Sequence, residues 1–175
     1  MKFCLLASVS AVPFAAEKEN FITSGNVEWD LRMDSVMGGG SVAEINVYDD
    51  RVYMTGQLDL INGGFASFYG EIESKLTGFD GLRVSGRTPD PERVFEVYVS
   101  REFDGTWYHP LALEKEYKSF EVNFSDFYFS YHGNRPDFEV SPPVGSVIRK
   151  VGVIVADKRP EVFEVEVNII EGHNF

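Results

Sequence analysis

The sequence predicts an all-β fold, an antiparallel β-sandwich or jelly roll, and three observations carry that prediction. Apolar and polar residues alternate with period two from Asn20 onward, the pattern of strands with one buried face. No window of about 12 residues shows the apolar stripe of a helix. Aromatic residues make up 14% of the chain, with 15 Phe among them, and such rings favour pleated, half-buried surfaces.

Taken along the chain, Ala43, Ile45 and Val47 alternate on one face, and Val52, Met54, Leu58 and Leu60 do so again, with Gly56 among them. Asp49-Asp50 between these runs reads as a hairpin turn. Leu82 to Val84 is a short strand, and Val94 to Arg101 and Ser119 to Phe124 are two more. Val147 to Ala156 is almost continuously apolar, as a strand buried on both sides would be. Phe163, Val165, Val167 and Ile169 close the series, alternating with Glu164, Glu166 and Asn168. Turn residues separate the strands at Gly38 to Gly40, Asn62 to Gly64, Pro89 to Pro91, Gly133 to Pro136 and Pro142-Pro143. A length of 175 residues with 43% apolar content fits one domain with an ordinary core.

Charge narrows the partners. Sixteen basic residues against 28 acidic ones give a net charge of −12, which repels phosphate backbones and anionic lipid. Nucleic acid is therefore not expected as a partner. No run of about 18 apolar residues is present, so no integral membrane span is expected. One cysteine, Cys4, permits neither an internal disulfide nor a cysteine-based metal cluster.

Met1–Ala16 combines an early positive charge at Lys2 with a mostly apolar run and small residues before Glu17. This is the outline of a secretory signal peptide. It leaves residues 17–175 as one domain, exported to a periplasm or secreted; the alternative is an intracellular or mitochondrial chain with this segment as a first strand or arm.

Catalytic patterns are weak throughout. Gly38, Gly40 and Ala43 match a relaxed dinucleotide fingerprint, but no buried strand leads in and no helix follows. His109, His132 and His173 are far apart and lack zinc-ligand spacing; His109 reads as part of a turn before Pro110, and His173 as part of a tail. Asp34, Asp80 and Asp157 could serve a structural calcium, without a loop motif to support it. No GxSxG elbow occurs, and the many carboxylates read first as a solvated acidic face rather than a glycosidase pair. Neither a cofactor nor a metal is expected, and no enzyme activity.

Three segments stand out instead. Trp29 to Ser41 crowds an aromatic, an acid, a methionine and three glycines together. Asn62-Gly63-Gly64-Phe65-Ala66-Ser67 leads into a strand of small residues that allows close backbone approach. In both, the glycines answer a backbone demand first, and exposed aromatics beside them could form a shallow binding face. Phe124, Phe127, Tyr128, Phe129 and Tyr131 form a third cluster, too dense for one strand to bury.

The run Trp29…Asp34-Ser35-Val36-Met37-Gly38-Gly39-x-Ser41 resembles the signature of the NADH:ubiquinone oxidoreductase complex I intermediate-associated protein 30 family. Asn62 to Ser67 resembles that family's second motif, and Phe79-Asp80-Gly81-Leu82 with Gly86-Arg87 its third. Gly133-x-Arg135-Pro136, Ile148…Val151-Gly152-Val153-Ile154…Asp157-Lys158 and the Phe163 to Ile169 strand extend the likeness over residues 21–170. The resemblance implies a galactose-binding-like β-sandwich and kinship with an assembly chaperone of mitochondrial respiratory complex I. An exported chain would not serve that role in a mitochondrial matrix.

The expectation is thus a non-catalytic domain that binds a protein partner, in the manner of an assembly factor, through one sheet face and its loops. The alternative is a carbohydrate-binding module. Trp29, Met37, Phe65 and Trp107 are the expected apolar contacts, with Asp34, Asn62 and Arg87 as polar orienters.

Overall fold

A computed structural model describes residues 17–101, 105–131 and 133–175. The expected signal segment Met1–Ala16, with Cys4, and His132 lie outside the described residues. Eleven strands run in chain order: β1 (Trp29–Met33), β2 (Val42–Val47), β3 (Val52–Gln57), β4 (Ala66–Glu71), β5 (Gly81–Arg87), β6 (Phe95–Ser100), β7 (Thr106–Leu111), β8 (Lys118–Asn123), β9 (Tyr128–Ser130), β10 (Lys150–Val155) and β11 (Val162–His173). Three 3-10 turns accompany them, at Asp34–Met37, Phe124–Asp126 and Gly145–Val147. The all-β prediction holds.

Two antiparallel sheets stack. One has six strands in the order β1-β4-β10-β6-β7-β9, the other five in the order β2-β3-β11-β5-β8. The period-two pattern turns one side of each sheet inward. Phe68, Val97, Val99, Val151, Val153 and Val155 from the first meet Val52, Met54, Leu82, Val84, Val165 and Val167 from the second, all fully buried. Burial of each such side chain contributes roughly 1.5–3 kcal/mol. The nearly continuous apolar run predicted around Val151 is β10, and it sits between β4 and β6. Beside Val167, β11 carries a bulge that shifts its register against β5.

Three sequence expectations need correction. Trp107, Tyr108, His109 and Pro110 do not form a turn; they belong to β7. Proline is tolerated because β9 pairs β7 only from Thr106 to Tyr108, leaving the edge beside Pro110 without a strand that would need its missing N–H. His173 is not in a tail but is the last residue of β11. Leu60 does not continue the alternation of β3, which ends at Gln57; it lies in the following loop and is exposed.

Candidate functional site

The first two glycine-rich segments meet at one buried carboxylate. Asp34 opens the 3-10 turn that follows β1 and is 0% exposed. Its Oδ1 accepts from the Ser41 amide at 3.1 Å. Its Oδ2 accepts from Ser41 Oγ at 2.6 Å and from the Gly64 amide at 2.6 Å. The Asp34 amide in turn donates to the Phe65 carbonyl at 3.3 Å. Burial pushes this carboxyl upward, but the donors from Ser41, Gly64 and Phe65 outweigh it and hold the group below the ordinary Asp value.

The glycines make that approach possible. A Cβ on Gly39 would stand 2.6 Å from Asp34 Oδ2, and one on Gly63 would stand 2.6 Å from Asp34 Cβ. Gly38 adopts φ 85° and closes the 3-10 turn by donating to Ser35 O. Asn62 adopts φ 61° at an exposed position, a conformation asparagine tolerates better than most residues. Ser41 Oγ also accepts from the Asp59 amide at 2.9 Å, so residues 34–41 and 59–65 form one knot.

Apolar side chains point outward from this knot. Val36, Met37, Leu60 and Ile61 are exposed, Met37 by 57% and Ile61 by 72%, and Val42 at the start of β2 is exposed beside them. An apolar group of this kind on backbone pinned by a buried carboxylate is a rigid contact surface.

The structure therefore joins Asp34, Met37, Asn62 and Phe65, and it separates the other three expected site residues. Trp29 and Trp107 are not surface contacts. Both are core residues, 8% and 2% exposed, packed edge-on against Phe68 and Phe129. Period-two alternation turns each of them inward. Phe65 is only half-buried. Asp34 orients the two loops themselves, since its oxygens face protein donors. Arg87 lies on the outer face of the five-stranded sheet, donating to Glu166 at 2.9 Å and covering the Tyr117 ring at 4.9 Å. It helps line a cleft of about 380 Å³ with Tyr53, Lys115 and Glu164. Glu166 also accepts from Tyr117 at 2.8 Å; burial opposes its ionisation, while Arg87 and Tyr117 prevail and lower its pKa.

Two of the three aspartates considered for calcium have other partners. Asp34 serves Ser41 and Gly64, and Asp157 is paired with Arg93 at 2.7 Å. Among the described residues no group of three His, Cys, Asp or Glu side chains is placed to hold a metal ion, and no helix is long and apolar enough to cross a membrane.

A second surface was visible in sequence only at Tyr128. The pairing register aligns Asp30, Tyr69, Gly152, Tyr98, Tyr108 and Tyr128 in one row across the six-stranded sheet. These positions alternate with the core residues, so the row belongs to the outer face. Tyr98 and Tyr108 lie 5.9 Å apart, Tyr108 and Tyr128 stack at 5.7 Å, and the Arg135 guanidinium covers Tyr128 at 3.8 Å. Of the third aromatic cluster, Phe124 and Phe127 are buried, and Tyr128 joins this row.

Two stacked antiparallel sheets with almost no helix define a jelly-roll β-sandwich of galactose-binding-like fold. Within that class the chain belongs to the Complex I intermediate-associated protein 30 (CIA30) family, whose profile matches residues 17–167. No curated protein matches the sequence. Among solved structures, the chain is similar to the family 11 carbohydrate-binding module of the cellulosomal cellulase Lic26A-Cel5E of Clostridium thermocellum. The TM-score is 0.64 at 12% identity, over 93% of this chain and 97% of that one. A family 11 module from the same organism, in complex with a β-1,3-1,4-mixed-linked tetrasaccharide, gives 0.61 at 10% identity, over 89% and 93%. The agarase AgWH50C gives 0.58 at 10% identity over 90% of this chain, the match spanning 25% of the agarase. At these identities the likeness is one of fold.

Proposed function

We propose that the chain is a non-catalytic binding domain that docks a protein partner through the rim formed by residues 34–42 and 59–65. The observation that carries this reading is the set of exposed apolar side chains, Val36, Met37, Leu60 and Ile61, on loops fixed by buried Asp34. Backbone already held in place loses little entropy on association, so the apolar contact is not offset by ordering. Membership of a family named for an intermediate-associated protein of complex I supports a role of the assembly-factor kind. The test compares tagged wild type with Met37→Asp and Ile61→Asp after expression in the source cell. Both variants are expected to fold and to lose the same co-purifying protein; retention of every partner by both contradicts the reading.

A carbohydrate-binding role is the second reading. The tyrosine row favours it, because the half-exposed rings of Tyr69, Tyr108 and Tyr128, backed by buried Tyr98, lie beside charged groups and suit sugar rings. The fold shared with carbohydrate-binding modules is compatible with it.

A further inference from the structure

Five sequence-distant segments contribute to the tyrosine row, and each is fixed by a different means. Gly152 at its centre has no side chain, and a Cβ there would stand 2.7 Å from Tyr98 Cζ. The Tyr98 ring therefore lies down over the backbone of β10 and fills the gap between Tyr69 and Tyr108. Tyr128 is held by its own hydroxyl, which donates to Glu96 at 2.5 Å, and by Arg135 stacked on its ring. At the other end the Lys150 ammonium sits 5.0 Å over Tyr69. Burial raises the Tyr98 and Tyr108 pKa values, and burial together with Glu96 raises that of Tyr128. These hydroxyls stay neutral at physiological pH, and that of Tyr128 is already committed to Glu96.

The flanking rows are mostly polar. On one side lie Arg32, Ser67, Ile154, Glu96 and Pro110; on the other lie Glu71, Lys150, Ser100, Thr106 and Ser130. Asp30, Glu71 and Glu96 are matched here by Arg32, Lys150 and Arg135, three acids to three bases, although the whole chain carries −12. A locally balanced surface neither attracts nor repels a charged ligand by its field.

We infer that this row is a binding site for a neutral, linear oligosaccharide lying across the strands from Tyr69 to Tyr128. The inference rests on the carbohydrate reading and gives it a location, a direction and a charge class. Four strand-to-strand steps separate β4 from β9, so the strip is about 19 Å long and spans about four sugar rings. Ring edges and partly open ring surfaces meet the apolar faces of the sugars. The bordering Thr106 and the charged side chains of Arg32, Glu71, Glu96 and Lys150, which are not buried, meet the sugar hydroxyls. Arg32 and Arg135 supply donor forks near the two ends of the β1 to β9 face, that of Arg135 held over the Tyr128 ring.

The experiment is isothermal titration of the full chain with oligosaccharides of two to six units from the gluco, manno and xylo β-1,4 series, the β-1,3 gluco series, and oligoalginate as the charged comparison. At least one neutral series is expected to bind, with affinity rising to about four units and then levelling. Tyr69→Ala and Tyr108→Ala should each weaken it by about tenfold. Glu44→Gln, at an exposed position of β2 in the other sheet, should leave it unchanged. Tyr69→Phe and Tyr108→Phe, which keep the packing, serve where an alanine variant fails to fold and should show a smaller loss. Binding that survives the tyrosine variants overturns the site but not the carbohydrate reading. No binding by any neutral series overturns both, and preference for oligoalginate overturns the charge assignment.

Discussion

The Asp34 carboxylate accepts a 2.6 Å hydrogen bond from the Gly64 amide, thirty residues away in the chain. This contact turns two loops that look independent in sequence into one piece. Replacing Asp34 by alanine leaves the Gly64 amide and the Ser41 amide and hydroxyl buried without an acceptor. Asp34→Ala should cost about 3 kcal/mol, read as a lower urea midpoint at unchanged m-value.

The same carboxylate sets an acid limit. Its folded-state pKa lies below the ordinary Asp value, so its contribution is fully present above about pH 4 and is lost as pH falls through the folded-state pKa. Glu166, also lowered, acts in the same direction but more weakly, since its partly exposed ion pairs are screened. Unfolding free energies measured from pH 6 to pH 2.5 should fall more steeply for wild type than for Asp34→Asn. Parallel curves would contradict this assignment.

The glycines of the knot are not interchangeable with other turn glycines. Gly63→Ala drives a methyl group into Asp34 and should cost about 2 kcal/mol. Gly25 has φ 67° and open space around it, so Gly25→Ala should cost about 1 kcal/mol, from backbone conformation alone. Thermal midpoints for the two variants distinguish steric from conformational cost.

How much of this was legible in sequence depends on whether the signal was local. Alternation located β2, β3, β6, β8, β10 and β11 because a strand's two faces are written in its own residues. The segment around Trp107 reads as a turn because Pro110 is a turn residue by composition, and Trp29 lies in a strand too short to announce itself by alternation. There β1 and β7 are made strands by pairing with β4 and β6. The tyrosine row has no local signature, since the alignment of Tyr69, Tyr98, Tyr108 and Tyr128 exists only once four separate registers are fixed. The motif residues Asp34, Ser41 and Gly64 were visible; their meeting at one carboxylate was not. Arg93 was hidden for a related reason, since a buried arginine has the same letter as an exposed one.

Arg93 is 2% exposed and donates through Nη1 to Asp157 at 2.7 Å and to the Arg159 carbonyl at 2.8 Å, and through Nη2 to the Glu161 carbonyl. It ties the loop before β6 to the loop before β11. Asp157→Ala strands this guanidinium and should cost about 3–5 kcal/mol. The double variant Arg93→Met/Asp157→Ala should lose less than the sum of the single ones, which a double-mutant cycle by chemical denaturation measures.

Export remains a proposal based on Lys2 and the apolar run to Ala16. It predicts a mature N-terminus near Glu17 in an exported fraction, checked by N-terminal sequencing of the native protein. An intact Met1 in an internal fraction contradicts it and strengthens the assembly-factor analogy.

The most direct test of the docking rim is site-specific photocrosslinking in the source cell. A photoreactive amino acid is placed at Ile61, at Met37, and at Tyr117 on the outer face of the other sheet. The account predicts one protein, the same by mass spectrometry, crosslinked from Ile61 and Met37 and not from Tyr117, and lost when Asp34→Ala loosens the knot. Crosslinking from Tyr117 alone, or different proteins from Ile61 and Met37, would contradict a single rigid docking rim.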